Sequence, residues 1–367
     1  MNSVLPDADR IPGAAAPKGA LRIAKRILGG IVAVALSATL IGSAFFRPAF
    51  DGGLHLVSRF PLGEWFASLP NHLWWVFLFG IFSASMAPLR AFRWGFTLPK
   101  PKPAYSDRYH SVAIGLLGNN VIPGKFGEAL RAMALTRFTE KRGKPTTFAL
   151  SLGTIIVCKV LDLVALLVLV VLSPSGPFFG GASGFGTSLT GVAIAVPTLV
   201  AALFLGARYV PRLADLLERK GKYPKLRNVL REFAVGVAAS GSPLRIGLAF
   251  AGTLVAISAV ATGYTIALYG AGVQAGLFSG VVLLAAVTLG QSPPGVPAGL
   301  GMYYLSCTWA ARLLGATPEQ AATLAVLTHL MTVISHLSVG AVSVVIRRVK
   351  VRDLLPRGVG KKQAASS

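Results

Sequence analysis

The residues of this chain most able to bind something sit where apolar sequence is interrupted. One such stretch reads Asn119-Asn120-Val121-Ile122-Pro123-Gly124-Lys125-Phe126-Gly127-Glu128-Ala129-Leu130-Arg131. A helix starting just after Pro123-Gly124 places Lys125, Glu128 and Arg131 three residues apart on one face. Its first turn also offers amide hydrogens that the helix leaves unpaired, with a partial positive charge. Two cations and a helix end make a seat for a phosphate or carboxylate, such as an anionic lipid head group. The plainer reading is that Glu128 complements the helix dipole and pairs with its neighbours while Lys125 and Arg131 reach toward the membrane interface. Binding is favoured, because ionisable groups beside a broken helix are costly to keep.

Lys159 and Asp162 stand in the otherwise apolar run Val157 to Leu163. Their i, i+3 spacing lets them pair within a helix and face a bundle interior, as a packing ion pair or in direct contact with a substrate. The segment Gln291-Ser292-Pro293-Pro294-Gly295-Val296-Pro297-Ala298-Gly299-Leu300-Gly301-Met302-Tyr303-Tyr304 has no charge. Its glycines permit tight turning, and Ser292 and the tyrosines supply hydroxyls. His329 and His336 share one helical face, seven residues apart. No third ligand is evident, so packed or hydrogen-bonded histidines are favoured over a metal. No nucleophile elbow, Walker loop, zinc-protease signature or Rossmann fingerprint stands in a credible context, so no catalytic residue, metal or cofactor is expected.

The elements that must position these residues follow from composition. The chain has 367 residues, 53% hydrophobic and 13% charged, with a mean hydropathy of +0.65. A water-soluble surface cannot carry that balance, and the expectation is one all-α integral membrane bundle. The net charge of +23 would suggest nucleic-acid binding in a soluble protein. Here the basic residues fall between apolar runs, as the positive-inside rule requires of cytoplasmic loops, and nucleic acid is not an expected partner. Cys158 and Cys307 each lie in an apolar stretch and read as packing residues.

Six runs are long enough to span: Ile27 to Phe46, His72 to Phe92, Thr146 to Leu172, Leu189 to Gly206, Ile246 to Gly270 and Glu319 to Ile346. The first competes with a cleaved signal peptide, but its length is that of a span. Two further stretches, His110 to Phe138 and Leu277 to Leu314, are broken by Pro and Gly into halves too short to cross, and read as re-entrant helical hairpins. The basic stretches Arg90 to Arg108, Arg137 to Lys144 and Arg208 to Arg245 are expected on the cytoplasmic side. Residues 1–26 form a cytoplasmic N-terminal segment, 27–346 the membrane domain with a cytoplasmic loop at 207–245, and 347–367 a basic cytoplasmic tail. Both termini thus face the cytoplasm. The loop 208–245 reads as a helix on the inner leaflet or as a solvated linker. The order span, hairpin, span recurs after about 170 to 175 residues, the outline of an inverted-topology repeat with a site between its halves. Coincidence among generic apolar helices is the alternative.

At these breaks the sequence resembles the transmembrane region of the lysylphosphatidylglycerol synthases, a flippase-like family. The resemblance rests on Asn119-Asn120, on Pro123 to Glu128 with Arg131, on Lys159-Val160-Leu161-Asp162, on the segment from Ser292-Pro293 to Gly301, and on the corner Arg90, Arg93 and Trp94. It covers about Ile27 to Ile346. It implies a protein that binds lipid or moves it between leaflets. The implied lipid-binding set is Asn119, Asn120, Pro123, Gly124, Lys125, Gly127, Glu128, Arg131, Lys159, Asp162, Ser292, Pro293, Gly295, Gly299, Gly301 and Tyr304. Lys125 and Lys159 stand where the family usually has arginine, which keeps the charge and loses the planar fork. Tyr304 stands where glutamate is usual, which removes a carboxylate. The sequence ends soon after its last span, so aminoacyl transfer by a synthase domain is not expected. The rival reading is a non-transporting accessory subunit of a lipid- or glycolipid-modifying pathway, hopanoid or polyprenyl-linked, with a lipid-biosynthesis enzyme as partner.

Overall fold

The computed structural model describes residues 35, 37–50, 53–122, 126–143, 146–173, 198, 209, 212, 216, 224–238, 242–291 and 299–349. The expected fourth span apart from residue 198, residues 27–34 and 36 of the first, the N-terminal segment 1–26, the tail from residue 350, and Pro123, Gly124, Lys125, Ser292, Pro293 and Gly295 lie outside them.

Residues 37–45 are helical and lead into an antiparallel pair, β1 (Phe46–Phe50) and β2 (Leu54–Ser58). This small sheet was not expected in an all-α chain. After it come α1 (Leu62–Ser68), a 3-10 turn (Leu69–His72), α2 (Leu73–Thr97), α3 (Tyr105–Val121), α4 (Gly127–Glu140), α5 (Phe148–Leu172), α6 (Pro224–Ala238), α7 (Pro243–Gly270), α8 (Ser279–Gly290), α9 (Met302–Leu313) and α10 (Pro318–Ile346). The described chain is an all-α membrane architecture apart from β1 and β2.

Local chemistry sets the helix ends. Thr147 caps α5 by accepting from the Leu150 amide. Thr317 and Gln320 form a capping box at α10, with Pro318 in the first turn. Among the described residues four stretches are long and apolar enough to cross a bilayer: Leu62–Thr97, Phe148–Leu172, Pro243–Gly270 and Pro318–Ile346. The 17 residues of α3 and 14 of α4 reach only about 25 and 21 Å, short of the ~30 Å hydrocarbon layer. The 12 residues of α8 and of α9 reach about 18 Å. Both broken segments are therefore helix pairs, and the first begins at Tyr105 rather than His110.

The halves pack in the same order. In the first, α2 packs on α3, α3 on α4 and α4 on α5; in the second, α7 packs on α8, α8 on α9 and α9 on α10. Before α7, α6 packs on α5. Before α2, α1 sets Trp65 against α10, its indole donating to Thr323 Oγ1 at 2.7 Å. The matching helices α2 and α7 lie antiparallel along their whole length. Arg245 donates to the Leu98 carbonyl at one end, Gly252 faces Arg93 and Gly263 faces Phe79 and Phe82 between, and Gly270 faces Trp75 at the other end. A Cβ at Gly270 would come within 2.2 Å of Trp75, so this contact needs glycine.

Three expectations are corrected. The helix α2 runs on to Thr97, so Arg90 and Arg93 lie inside it rather than in a cytoplasmic loop. The helix α6 packs on α5, where a Cβ at Gly236 would sit 2.3 Å from the Leu150 carbonyl, so this part of the expected loop is a helix held against the bundle and not a solvated linker. The basic loop is narrower than expected. Around Lys102, partial desolvation and then the charges of Arg245, Arg108 and Lys100 push its ammonium below the ordinary lysine value.

The start of α3, the turn after α4 and the end of α10 are joined by one carboxylate. Buried Asp107 meets Arg347 Nη2 at 2.5 Å and Arg142 Nε at 3.1 Å. Replacing Asp107 by alanine is expected to lower stability on the order of 2 kcal/mol, discounted because both arginines are partly solvated. Thermal unfolding of the detergent-solubilised chain measures it, and an unchanged midpoint would show the joint to be idle.

Candidate functional site

The site begins at α2. Arg93, 1% exposed, grips Asp162 of α5 with both terminal nitrogens, at 2.7 and 2.8 Å. Its Nη1 also donates to Thr253 Oγ1 of α7 at 2.5 Å. One turn earlier, Arg90 Nη2 lies 4.0 Å from the same carboxylate. Trp94, the next residue, donates its indole N–H to Thr154 at 2.9 Å and carries the Arg131 guanidinium over its ring at 4.0 Å. Arg131 in turn lies 3.4 Å from Glu128, whose other oxygen meets Lys159 Nζ at 2.6 Å.

Lys159 and Asp162 therefore do not pair with each other. Each takes a partner on a neighbouring helix, Lys159 from α4 and Asp162 from α2. The i, i+3 rule describes an isolated helix, and here the facing helices present better-placed charges. Four cations, Arg90, Arg93, Arg131 and Lys159, share two carboxylates, Glu128 and Asp162. Among the described residues the network holds an excess of two positive charges.

The tip of the first hairpin is closed from within. Asn119 Oδ1 accepts the Gly127 amide at 2.9 Å. A Cβ at Gly127 would lie 2.1 Å from the Gly115 carbonyl oxygen and 2.4 Å from Asn119. The expected anion seat at the start of α4 is thus corrected in part: the Gly127 N–H is already taken. Gly127→Ala is expected to force the two helices apart and cost about 1–3 kcal/mol, read as a lower unfolding midpoint. A midpoint equal to wild type would mean the tip yields freely. Asn120 Nδ2 donates to the Leu116 carbonyl at 2.8 Å and lies 3.3 Å from His336 Nδ1 on α10.

At the second hairpin, Gly299 and Gly301 have φ of +68° and +87°, a backbone region that glycine enters without strain. Ser37 donates to the Leu300 carbonyl at 2.9 Å, tying residues 37–45 to this tip. The Tyr303 hydroxyl donates to Thr328 at 2.8 Å and lies 2.8 Å from that of Tyr264. Its ring stacks on His329 with centroids 4.5 Å apart. Tyr304 is half-buried, with its ring edge-on to His329.

A cavity of about 500 Å³ opens between the two tips. One part of its wall is polar: Arg90, Lys159, Asp162, Asn119, Asn120 and His336. Another is apolar, with Phe79 and Met86 of α2, Leu166 of α5, Ile257 and Val260 of α7, and Leu284 and Val287 of α8. Gln291, Gly299 and Tyr303 bring in the second hairpin. The volume falls in the range of sites for small ligands, roughly 300–1,000 Å³.

Of the expected residues, Asn119, Asn120, Lys159, Asp162 and Gly299 line this cavity. Glu128 and Arg131 belong to the ion network without lining it, so Arg131 is not the cavity-facing cation that was expected. Gly127 and Gly301 shape the turns, and Tyr304 stands beside the wall. Pro123, Gly124, Lys125, Ser292, Pro293 and Gly295 lie outside the described residues. The reading of the motif had not given Arg90, Tyr303, His329 and His336 a place at the site. For Arg90 the signal was its spacing of three from Arg93, and for the histidines their shared face. Among the described residues no group of three or more histidine, cysteine, aspartate or glutamate side chains is placed to hold a metal.

Comparison with known proteins agrees with this architecture. Neither the curated proteins nor the solved structures contain a match to the chain. The family model described as the lysylphosphatidylglycerol synthase TM region matches residues 27–340, a stretch that takes in both hairpins, the ion network and the cavity. The chain belongs to the lysylphosphatidylglycerol synthase transmembrane-region family.

Proposed function

We propose that this chain is a lipid translocase of the bacterial inner membrane, which holds a lipid with an anionic head group between its two hairpins and passes it from one leaflet to the other. The observation that carries this reading is the cavity itself. Charged and amide groups line one part, aliphatic and aromatic side chains another, and the adjoining ion network has two positive charges to spare. An amphipathic guest with a negative head fits such a wall, and a purely apolar or purely polar guest does not. The matching packing order of the halves and the antiparallel course of α2 and α7 support an inverted repeat, whose substrate site falls between its halves. The cations gathered around Lys102 support a cytoplasmic position for that end.

The test is reconstitution of the full chain into vesicles carrying a fluorescent phosphatidylglycerol, with leaflet exchange followed by dithionite quenching. Exchange faster than in protein-free vesicles is expected. A rate equal to theirs across phosphatidylglycerol, phosphatidic acid and a polyprenyl phosphate would end the translocase reading. Stable co-purification of a lipid-modifying enzyme, with no exchange, would select the accessory-subunit alternative.

A further inference from the structure

His336 lies on α10 seven residues after His329 and four after Thr332, and all three line the cavity. The same spacing recurs on α5, where Lys159, Asp162 and Leu166 line it too. Each long helix thus turns one stripe toward the space. The charges on the α5 stripe are engaged by Glu128 and Arg93. On the α10 stripe one atom is left over.

Asn120 decides which atom that is. Its Nδ2 donates to the Leu116 carbonyl, which fixes the amide so that a nitrogen, and not the oxygen, faces His336 Nδ1. An amide nitrogen only donates, so Nδ1 accepts and the proton of the neutral ring sits on Nε2. Nε2 is buried and has no hydrogen-bond partner among the described residues, and His336 as a whole is 8% exposed. A donor kept dry without an acceptor is a costly arrangement that a guest can relieve. Among the groups on the same wall, Arg90 and Lys159 only donate and the carboxylate of Asp162 is gripped by Arg93, while Asn120, Gln291 and Thr332 can accept as well as donate.

We propose that His336 is a head-group donor whose Nε2–H, together with Arg90 and Lys159, seats phosphoryl oxygens, so that the cavity selects lipids bearing a phosphate over lipids whose heads carry hydroxyls alone. A phosphoryl group brings several acceptor oxygens, which suits the three donors Arg90, Lys159 and His336. A hydroxyl head brings one acceptor oxygen per group and so engages fewer of them, and the carboxylate on the wall is already shared with Arg93. The inference rests on the lipid-site reading above and adds to it one residue and one chemical class.

The test is a thermal-shift titration of the full chain in neutral maltoside detergent with dihexanoyl phosphatidylglycerol, dihexanoylglycerol and inorganic phosphate. Phosphatidylglycerol is expected to raise the unfolding midpoint saturably and dihexanoylglycerol to leave it unchanged. Inorganic phosphate acting as well as the lipid would replace the lipid head by a free anion as the guest. His336→Phe, which removes the donor, is expected to weaken phosphatidylglycerol binding about tenfold. His336→Gln, which can set an amide N–H near the place of Nε2, keeps most of it. His336→Asn, whose amide reaches only the place of Nδ1, loses as much as phenylalanine does; if the phenylalanine variant does not fold, the Gln and Asn pair decides. Wild-type affinity in His336→Asn, or equal loss in Asn and Gln, overturns the role of His336 and leaves the lipid site standing. Equal binding of dihexanoylglycerol overturns the phosphoryl selectivity. Failure of the wild-type chain to respond to any probe removes the lipid site, and the inference with it.

Discussion

Asp162→Ala is expected to destabilise the folded chain by about 3–5 kcal/mol, because it leaves Arg93 charged inside the bundle without its carboxylate, and Arg93→Ala by less, because Asp162 keeps Arg90 at 4.0 Å. Arg93 gives the clearer case, being almost wholly buried between α2, α5 and α7 with Asp162 and Thr253 as its polar contacts. The double change Arg93→Met with Asp162→Leu removes both charges and fills much of the vacated volume. It is expected to cost less than either single change, since the costly state is the unmatched charge and not the missing bond. Thermal unfolding in one detergent compares the three proteins. Costs that simply add in the double variant would show that the residues act apart, and that the fork between them is incidental to folding.

The second large effect concerns the guest. Arg90→Gln with Lys159→Gln takes both cations from the cavity wall while leaving shorter, neutral polar side chains in their place. Hydrogen bonds to charged groups are each worth about 1.5–3 kcal/mol, so their joint loss is expected to weaken binding of phosphatidylglycerol roughly a hundredfold or more. Exchange in reconstituted vesicles should fall to the protein-free rate. Lys159→Arg is the informative companion. It keeps the charge opposite Glu128 and adds a planar fork that can reach two oxygens, and it is expected to retain exchange. Undiminished exchange in the double glutamine variant, with the protein still folded, would move the head group elsewhere.

How much of this was visible in the residues differs from one part to another. The two helix breaks were legible because Pro and Gly interrupt apolar sequence at Pro123-Gly124 and at Ser292 to Pro297, and the flanking helices end where those residues demand. The strands β1 and β2 were missed although Asp51-Gly52-Gly53 is a hairpin signal. An apolar run of span length on the N-terminal side drew that reading away. Arg90 and Arg93 were assigned to a loop because basic residues near the end of an apolar run usually mark the interface. Burial of Arg93 depends on a carboxylate 69 residues away in sequence, and no local rule reports that. The partnerships of Lys159 and Asp162 failed for the same reason. Which of two nearby charges a side chain meets is settled by the packing of α4 and α2 on α5, where spacing along one helix is silent. Of the two cations given the ligand-facing role at the first tip, Lys125 lies outside the described residues and Arg131 stacks on Trp94.

The surplus of two positive charges in the ion network has a consequence for the resting protein. Without a lipid, that surplus has to be offset by small ions drawn from the aqueous phase, so loading a head group is an exchange of one set of anions for another. Apparent affinity should then decline as sodium chloride is raised, more gently than for a fully exposed patch because the cavity shields its contents from the ionic atmosphere.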